Sequence, residues 1–159
     1  MDSEEKYRLF REAAHRFEKY HMQAANVDLK LEALQIRMEN VHSPSLEKAG
    51  TSDPLKPHPV IELLDYKERL EAEKKCYADM MRWVLDTIES IPSRTMRVLV
   101  WMSCVQRRSL KSISEEYGLN KDKLYNARRN SLAKAVDVQS LERYMEIRDS
   151  FESLGIQES

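Results

Sequence analysis

Between Tyr7 and Val41 the chain repeats side chains at steps of three or four: Tyr7, Phe10, Ala14, Phe17, His21, Ala24, Asp28, Leu31, Leu34, Met38 and Val41. All but His21 and Asp28 are apolar, and neither proline nor glycine interrupts the run. That spacing is one face of an α-helix. Ser3 is placed to cap it, with Glu4 and Glu5 favourable in its first turn. A single helix of about 39 residues would span roughly 58 Å at 1.5 Å per residue. That is longer than a compact core can cover. The stripe therefore predicts a partner helix alongside, folded back as a hairpin or supplied by a second copy of the chain. His21 and Asp28 either fix register on the seam or rotate out of it, and rotation is the expectation.

The partner follows in sequence. Residues 43–59, SPSLEKAGTSDPLKPHP, carry Pro44, Pro54, Pro57, Pro59 and Gly50 and read as a mobile linker. His42 and His58 flank it without the cysteines or paired carboxylates of a metal site. From Val60 to Ile91 a second helical stripe runs through Leu63, Leu70, Tyr77, Met81, Val84, Ile88 and Ile91. It is thin at first, because Lys67 and Lys74 occupy core positions, and richer from Cys76 onward. Glu71 and Lys75 are spaced as an i,i+4 ion pair. Residues 1–91 thus read as a long helical hairpin or coiled-coil-like arm.

Pro92 suits the first turn of the next helix, whose core would come from Met96, Leu99, Val100, Met102 and Cys104 or Val105, with Val98 and Trp101 also available. Leu110 to Arg129, LKSISEEYGLNKDKLYNARR, then has the spacing of a helix-turn-helix. Leu110, Ile113 and Tyr117 share one helical face. Ser114 is small where a second helix must cross. Gly118 suits a turn that needs positive φ, Leu119 can plug that turn, and Asn120 is a good N-cap. Leu124, Ala127 and Ser131 or Leu132 would be the buried side of the second helix. Lys121, Lys123, Tyr125, Asn126 and Arg129 would be its outer side. Any one of these features fits an ordinary helical corner with a solvated charged face. Together, in register, they favour contact with a nucleic acid. Asn126 and Lys121 are candidates for base edges; Arg129, Lys123, Arg108 and Lys111 are candidates for phosphates, with Asn120 at the helix start beside them. Asp137 would cap a last helix through Val138, Leu141, Tyr144 or Met145, and Phe151, stopped by Gly155.

Charge supports the same division. The 159-residue chain has a net charge of −1, but residues 1–91 hold 14 basic against 18 acidic side chains, residues 92–134 hold 10 against 3, and residues 135–159 hold 2 against 6. A basic module of net +7 between two acidic flanks of −4 each is the footprint of one segment touching a polyanion. The expected organisation is all-α: a helical arm over 1–91, a helix-turn-helix module over 92–134, and a C-terminal helix and tail over 135–159.

Ile91-Pro92, Arg97-Val98-Leu99, Ser112-Ile113-Ser114, Tyr117-Gly118-Leu119 and Leu124 resemble region 4 of bacterial RNA polymerase sigma factors over about Ile88 to Leu132. The wider order is similar to small phage and prophage proteins, including the ArpU-like late-gene regulators: long helix, loop with Gly50-Thr51-Ser52, second helix, sigma-like module. The resemblance implies binding to double-stranded DNA and control of transcription in the cytoplasm of a bacterial host. Arg128 departs from it, standing where sigma proteins often bury leucine. Trp101 to Cys104 lacks the usual arginine–tyrosine pair, and the link before the motif is one residue longer. Nothing in 1–91 resembles the aromatic promoter-melting region, which favours a regulator over a stand-alone sigma factor. Two other readings combine the same parts: a small terminase-like subunit that recognises DNA for packaging, and a module that binds RNA polymerase or sigma without DNA.

Other chemistries have no sequence support. There is no glycine-rich phosphate loop, HExxH or GxSxG, so neither an enzyme nor a bound cofactor or metal is expected. Cys76 and Cys104 are isolated in apolar helical patterns and read as buried, reduced thiols. The acidic start, MDSEEKYRLF, does not read as a signal peptide, and no apolar run is long enough to span a membrane.

Overall fold

Asp2, rather than Ser3, opens the first helix: its carboxylate accepts the backbone N–H of Glu5 at 2.8 Å, and α1 spans Ser3–His15. The computed structural model describes residues 1–41 and 59–158, so the linker expected at 43–59, with Gly50 and its flanking His42 and His58, lies outside the described residues except for Pro59. The described chain is helical, with no strand: α2 (Phe17–Val41), α3 (Pro59–Glu89), α4 (Arg94–Val100) continued by a π-turn over Trp101–Val105, α5 (Leu110–Tyr117), α6 (Lys121–Ala135) and α7 (Val138–Ser153).

The long N-terminal helix is broken at Arg16. Its φ of −93° and ψ of 2° leave the helical ladder, and its N–H bonds back to Ala13 and Ala14. The break changes the phase of the stripe. In α1 the buried residues include Tyr7, Phe10 and Ala14, as the spacing requires; in α2 they are Tyr20, Ala24, Val27 and Leu34. Tyr20 and Val27 take the buried seats that the uninterrupted stripe gives to His21 and Asp28. His21 does rotate out. Asp28 pairs with Lys74 across the seam at 2.6 Å, so two misplaced polar residues answer one another.

α2 packs along α3. Tyr20 stacks on Tyr77, while further along α2 Asp28 meets Lys74, earlier in α3; the two helices are antiparallel. The C-terminal half of α3 is buried on two sides. Tyr77, Val84 and Ile88 carry the expected stripe, and Cys76, Met80, Trp83 and Thr87 make a second one. Trp83 is 1% exposed; its indole N–H donates to the Ser140 backbone carbonyl at 2.9 Å and so fixes α7 on α3. The i,i+4 pairs on α3 differ from expectation: Lys67 reaches Glu71 at 4.0 Å and Lys75 reaches Asp79 at 2.7 Å, so Glu71 and Lys75 each take another partner.

Ser93 caps α4, accepting from Met96 N–H at 3.2 Å, so Pro92 precedes the helix instead of lying in its first turn. The π-turn holds Cys104 and Val105 in the main core, and Gln106 caps it ahead of Arg107, whose φ is +62°. Val98 is exposed. In α7 Tyr144 is buried and Met145 exposed, Ile147 joins the core, and Val138 faces out. Asp137 caps that helix through Ser140 N–H at 2.8 Å, and Gly155, at φ +66°, ends it. Cys76 and Cys104 are buried free thiols. One buried cluster joins α1, α2, α3, the π-turn, α6 and α7; a smaller one, Leu99, Leu110 and Ile113, lies beneath α4, α5 and α6.

Candidate nucleic-acid interface

The pair α5 and α6 is built locally. Ser109 caps α5 by accepting from Ser112 N–H at 3.1 Å. Gly118 adopts φ +66° and ψ +33°, letting Leu119 N–H return to the Ser114 carbonyl at 2.9 Å. Asn120 caps α6, accepting from Lys123 N–H at 3.0 Å. Ser114 is buried, as expected for a residue at a helix crossing; its hydroxyl donates to the Lys111 carbonyl. Tyr117 and Leu119, expected to be packed, are 55% and 49% exposed. They lie a turn beyond Ser114, where none of the described helices covers them.

The candidate contact residues divide by their angle around α6. Lys121, Lys123 and Asn126 are exposed, as are Lys111 on α5 and the cap Asn120. Tyr125 and Arg129 turn towards α1. Tyr125 meets the Tyr7 ring edge-on at 6.0 Å between centroids, and Arg129 pairs with Glu4 at 3.6 Å while lying over the Tyr125 ring. Arg108 is half-buried; its guanidinium bonds Glu116 and Ser112 on α5. At about 100° per residue the side of α6 that carries Lys123 and Asn126 continues through Asn130 and Lys134, and both are exposed. These two were not singled out from the sequence, although the same helical spacing reaches them.

Arg128 occupies the buried side of α6 where the sigma-like pattern calls for leucine, and it is 5% exposed. It donates to the Tyr7 hydroxyl and sits over the rings of Tyr7 and Tyr125. Two tyrosines therefore accommodate a charge that an apolar seat would exclude. Burial pushes the Tyr7 hydroxyl and the Cys104 thiol above their ordinary values, against the nearby Arg128. Burial lowers the pKa of His15, and the charges of Arg11, Arg107 and Arg128 lower it further.

Among the described residues no group of three or more His, Cys, Asp and Glu side chains is placed to hold a metal ion, and no helix is long and apolar enough to cross a membrane. No protein-family model, curated protein or solved structure matches the chain.

Proposed function

We propose that the chain binds double-stranded DNA through α5, the 118–120 turn and α6, used as a sigma region 4-like helix-turn-helix, and that it acts as a phage-type transcriptional regulator. The observation that carries this reading is the open side of α6. Lys123, Asn126, Asn130 and Lys134 project into solvent behind a left-handed Gly118 and an Asn120 cap, in the segment of net +7. Amide and ammonium groups on one accessible helical face suit base edges and phosphates in a major groove. Lys121, Lys111 and Asn120 flank that face. Arg129 and Arg108 reach DNA after exchanging Glu4 and Glu116 for phosphate. Tyr125 acts from beneath by holding Arg129. The exposed Met22, Leu29 and Ile36 recur every seventh residue along α2. They favour pairing of two copies through the arm, which would present two α6 helices to a two-fold site.

The test is binding of duplex DNA from the gene's own neighbourhood over a range of salt. Lys123→Ala is expected to flatten the logarithmic salt slope by about 0.9, the value for one phosphate contact. Asn126→Ala is expected to lower sequence preference with little change in slope. No duplex binding at low salt would overturn the proposal and leave the polymerase-binding reading.

A further inference from the structure

A cleft of about 350 Å³ lies on another side of the molecule, where α1, the turn after the π-helix and the buried side of α6 meet. Arg11 and His15 line it from α1, Arg107 and Arg108 from the turn, Arg128 from α6, and Ser109 from the cap of α5. Among the described residues no carboxylate lines it. Arg108 is already engaged by Glu116 and Arg128, 95% buried, by the Tyr7 hydroxyl; the Nε–H groups of Arg128 and Arg11, both closed to solvent, have no acceptor among the described residues. Buried guanidinium donors without acceptors are costly and rare. Arg107 is held at φ +62°, a backbone region a non-glycine residue seldom takes. The lining is cationic and hydrogen-bond-donating, and the cleft has the size of a small-ligand site.

We infer that this cleft binds the phosphate group of a small phosphorylated molecule, held between the guanidinium groups of Arg11, Arg107 and Arg128 with His15 beside them. Guanidinium donors match the tetrahedral oxygens of phosphate in geometry and charge. The first residues of α5 add the positive end of a helix. Arg128 lies about half a turn around α6 from Lys123 and Asn126, so a duplex lying along that open side does not fill the cleft. A bound phosphate ties α1 to α6 and to the turn before α5. The site is therefore placed to set how firmly the two-helix unit is held, whether or not that unit reads DNA.

The experiment is calorimetric titration of the full chain with inorganic phosphate and with pyrophosphate, in chloride buffers of matched ionic strength. His15 ring resonances are followed in parallel. Saturable binding is expected, with pyrophosphate tighter than phosphate and a shift of the His15 signals. Arg107→Gly suits the left-handed backbone and keeps the fold. It is expected to weaken binding at least tenfold while melting no lower than the parent in chloride. Absence of saturable binding by both anions, or equal affinity in Arg107→Gly, would overturn the inference. So would failure of both anions to bind while Arg107→Gly flattens the salt slope for duplex DNA, which would assign the cleft to a backbone phosphate instead.

Discussion

Replacing Glu158 with alanine removes one carboxylate that three partners share. Glu158 is one residue from the end of the chain, yet its side chain is only 7% exposed. One oxygen accepts from Arg16 at 2.8 Å and from Arg148; the other accepts from the Tyr20 hydroxyl at 2.8 Å. It thus ties the tail to the break between α1 and α2 and to α7. Hydrogen bonds to charged groups are each worth about 1.5–3 kcal/mol, which sets a gross loss of roughly 4–9 kcal/mol. Two effects reduce it. The Arg16 and Arg148 side chains are 34% and 30% exposed and recover water when the carboxylate is lost. Freeing Gln157 and Glu158 returns about 1–2 kcal/mol of conformational entropy per residue. The net expectation is a loss of about 2 kcal/mol, a fall in melting temperature of roughly 4–8 °C for a chain of this length. Urea and thermal unfolding followed by far-UV circular dichroism would measure it, with Glu158→Gln losing about half as much because Tyr20 keeps an acceptor. A double-mutant cycle with Tyr20→Phe should give a coupling above about 0.5 kcal/mol. An alanine variant that melts within about 1 °C of the parent would refute the reasoning.

Gly118→Ala meets no atom within 4 Å of the added Cβ, so its cost is that of the left-handed backbone alone, about 1 kcal/mol; weaker duplex binding should accompany the lower melting temperature, and unchanged melting would contradict the conformational account. Arg128→Met removes a buried Nε–H without an acceptor and keeps volume beside Tyr7 and Tyr125, but also removes the donor to the Tyr7 hydroxyl, and should cost about 1 kcal/mol, whereas Arg128→Ala should cost about 2–4 kcal/mol through the cavity it opens. A large loss in the methionine variant, read by urea midpoints, would make the guanidinium itself structural. The pKa of His15 is lowered in the folded state, so the stability it contributes is present above about pH 6.5 and is lost as pH falls through the folded value. His15→Gln should flatten the fall in stability on the acid side of that point, and parallel pH profiles for the two proteins would rule the effect out.

Local structure was largely legible in the residues. Asn120, Gly118, Asp137 and Gly155 each occupy the cap or left-handed position their chemistry suits, because a cap is a contact between residues only a few positions apart. Asp2 took the cap position expected of Ser3, and Pro92, expected in the first turn of α4, lies just before its cap Ser93, each a shift of a residue or two within one turn. The exposed basic and amide residues Lys121, Lys123 and Asn126 were also readable, since a helix that keeps one side in the core presents the other to water. The hairpin partner of the N-terminal stripe was readable for a related reason: a long apolar seam must be covered.

The pairings between distant segments were not readable. The break at Arg16 hides in the stripe, because Phe17 and Tyr20 both suit a core seat and only the packing of α1 and α2 shows which one is filled. The meeting of Asp28 with Lys74 depends on the register of two helices separated by the residues beyond Val41. The turn of Tyr125 and Arg129 towards Tyr7 and Glu4 depends on α1 lying against α6.

By itself the sequence determined an all-α class with an apolar seam, the caps Asn120 and Asp137 and a basic island between acidic flanks, since each follows from spacing, cap chemistry or the order of charges. Only the tertiary structure decided that Arg128 is buried between two tyrosines, that Glu158 anchors the tail, and that four arginines meet in one cleft. Those outcomes require residues more than a hundred positions apart to converge, and convergence of that kind depends on which helix faces pack together, not on any local pattern.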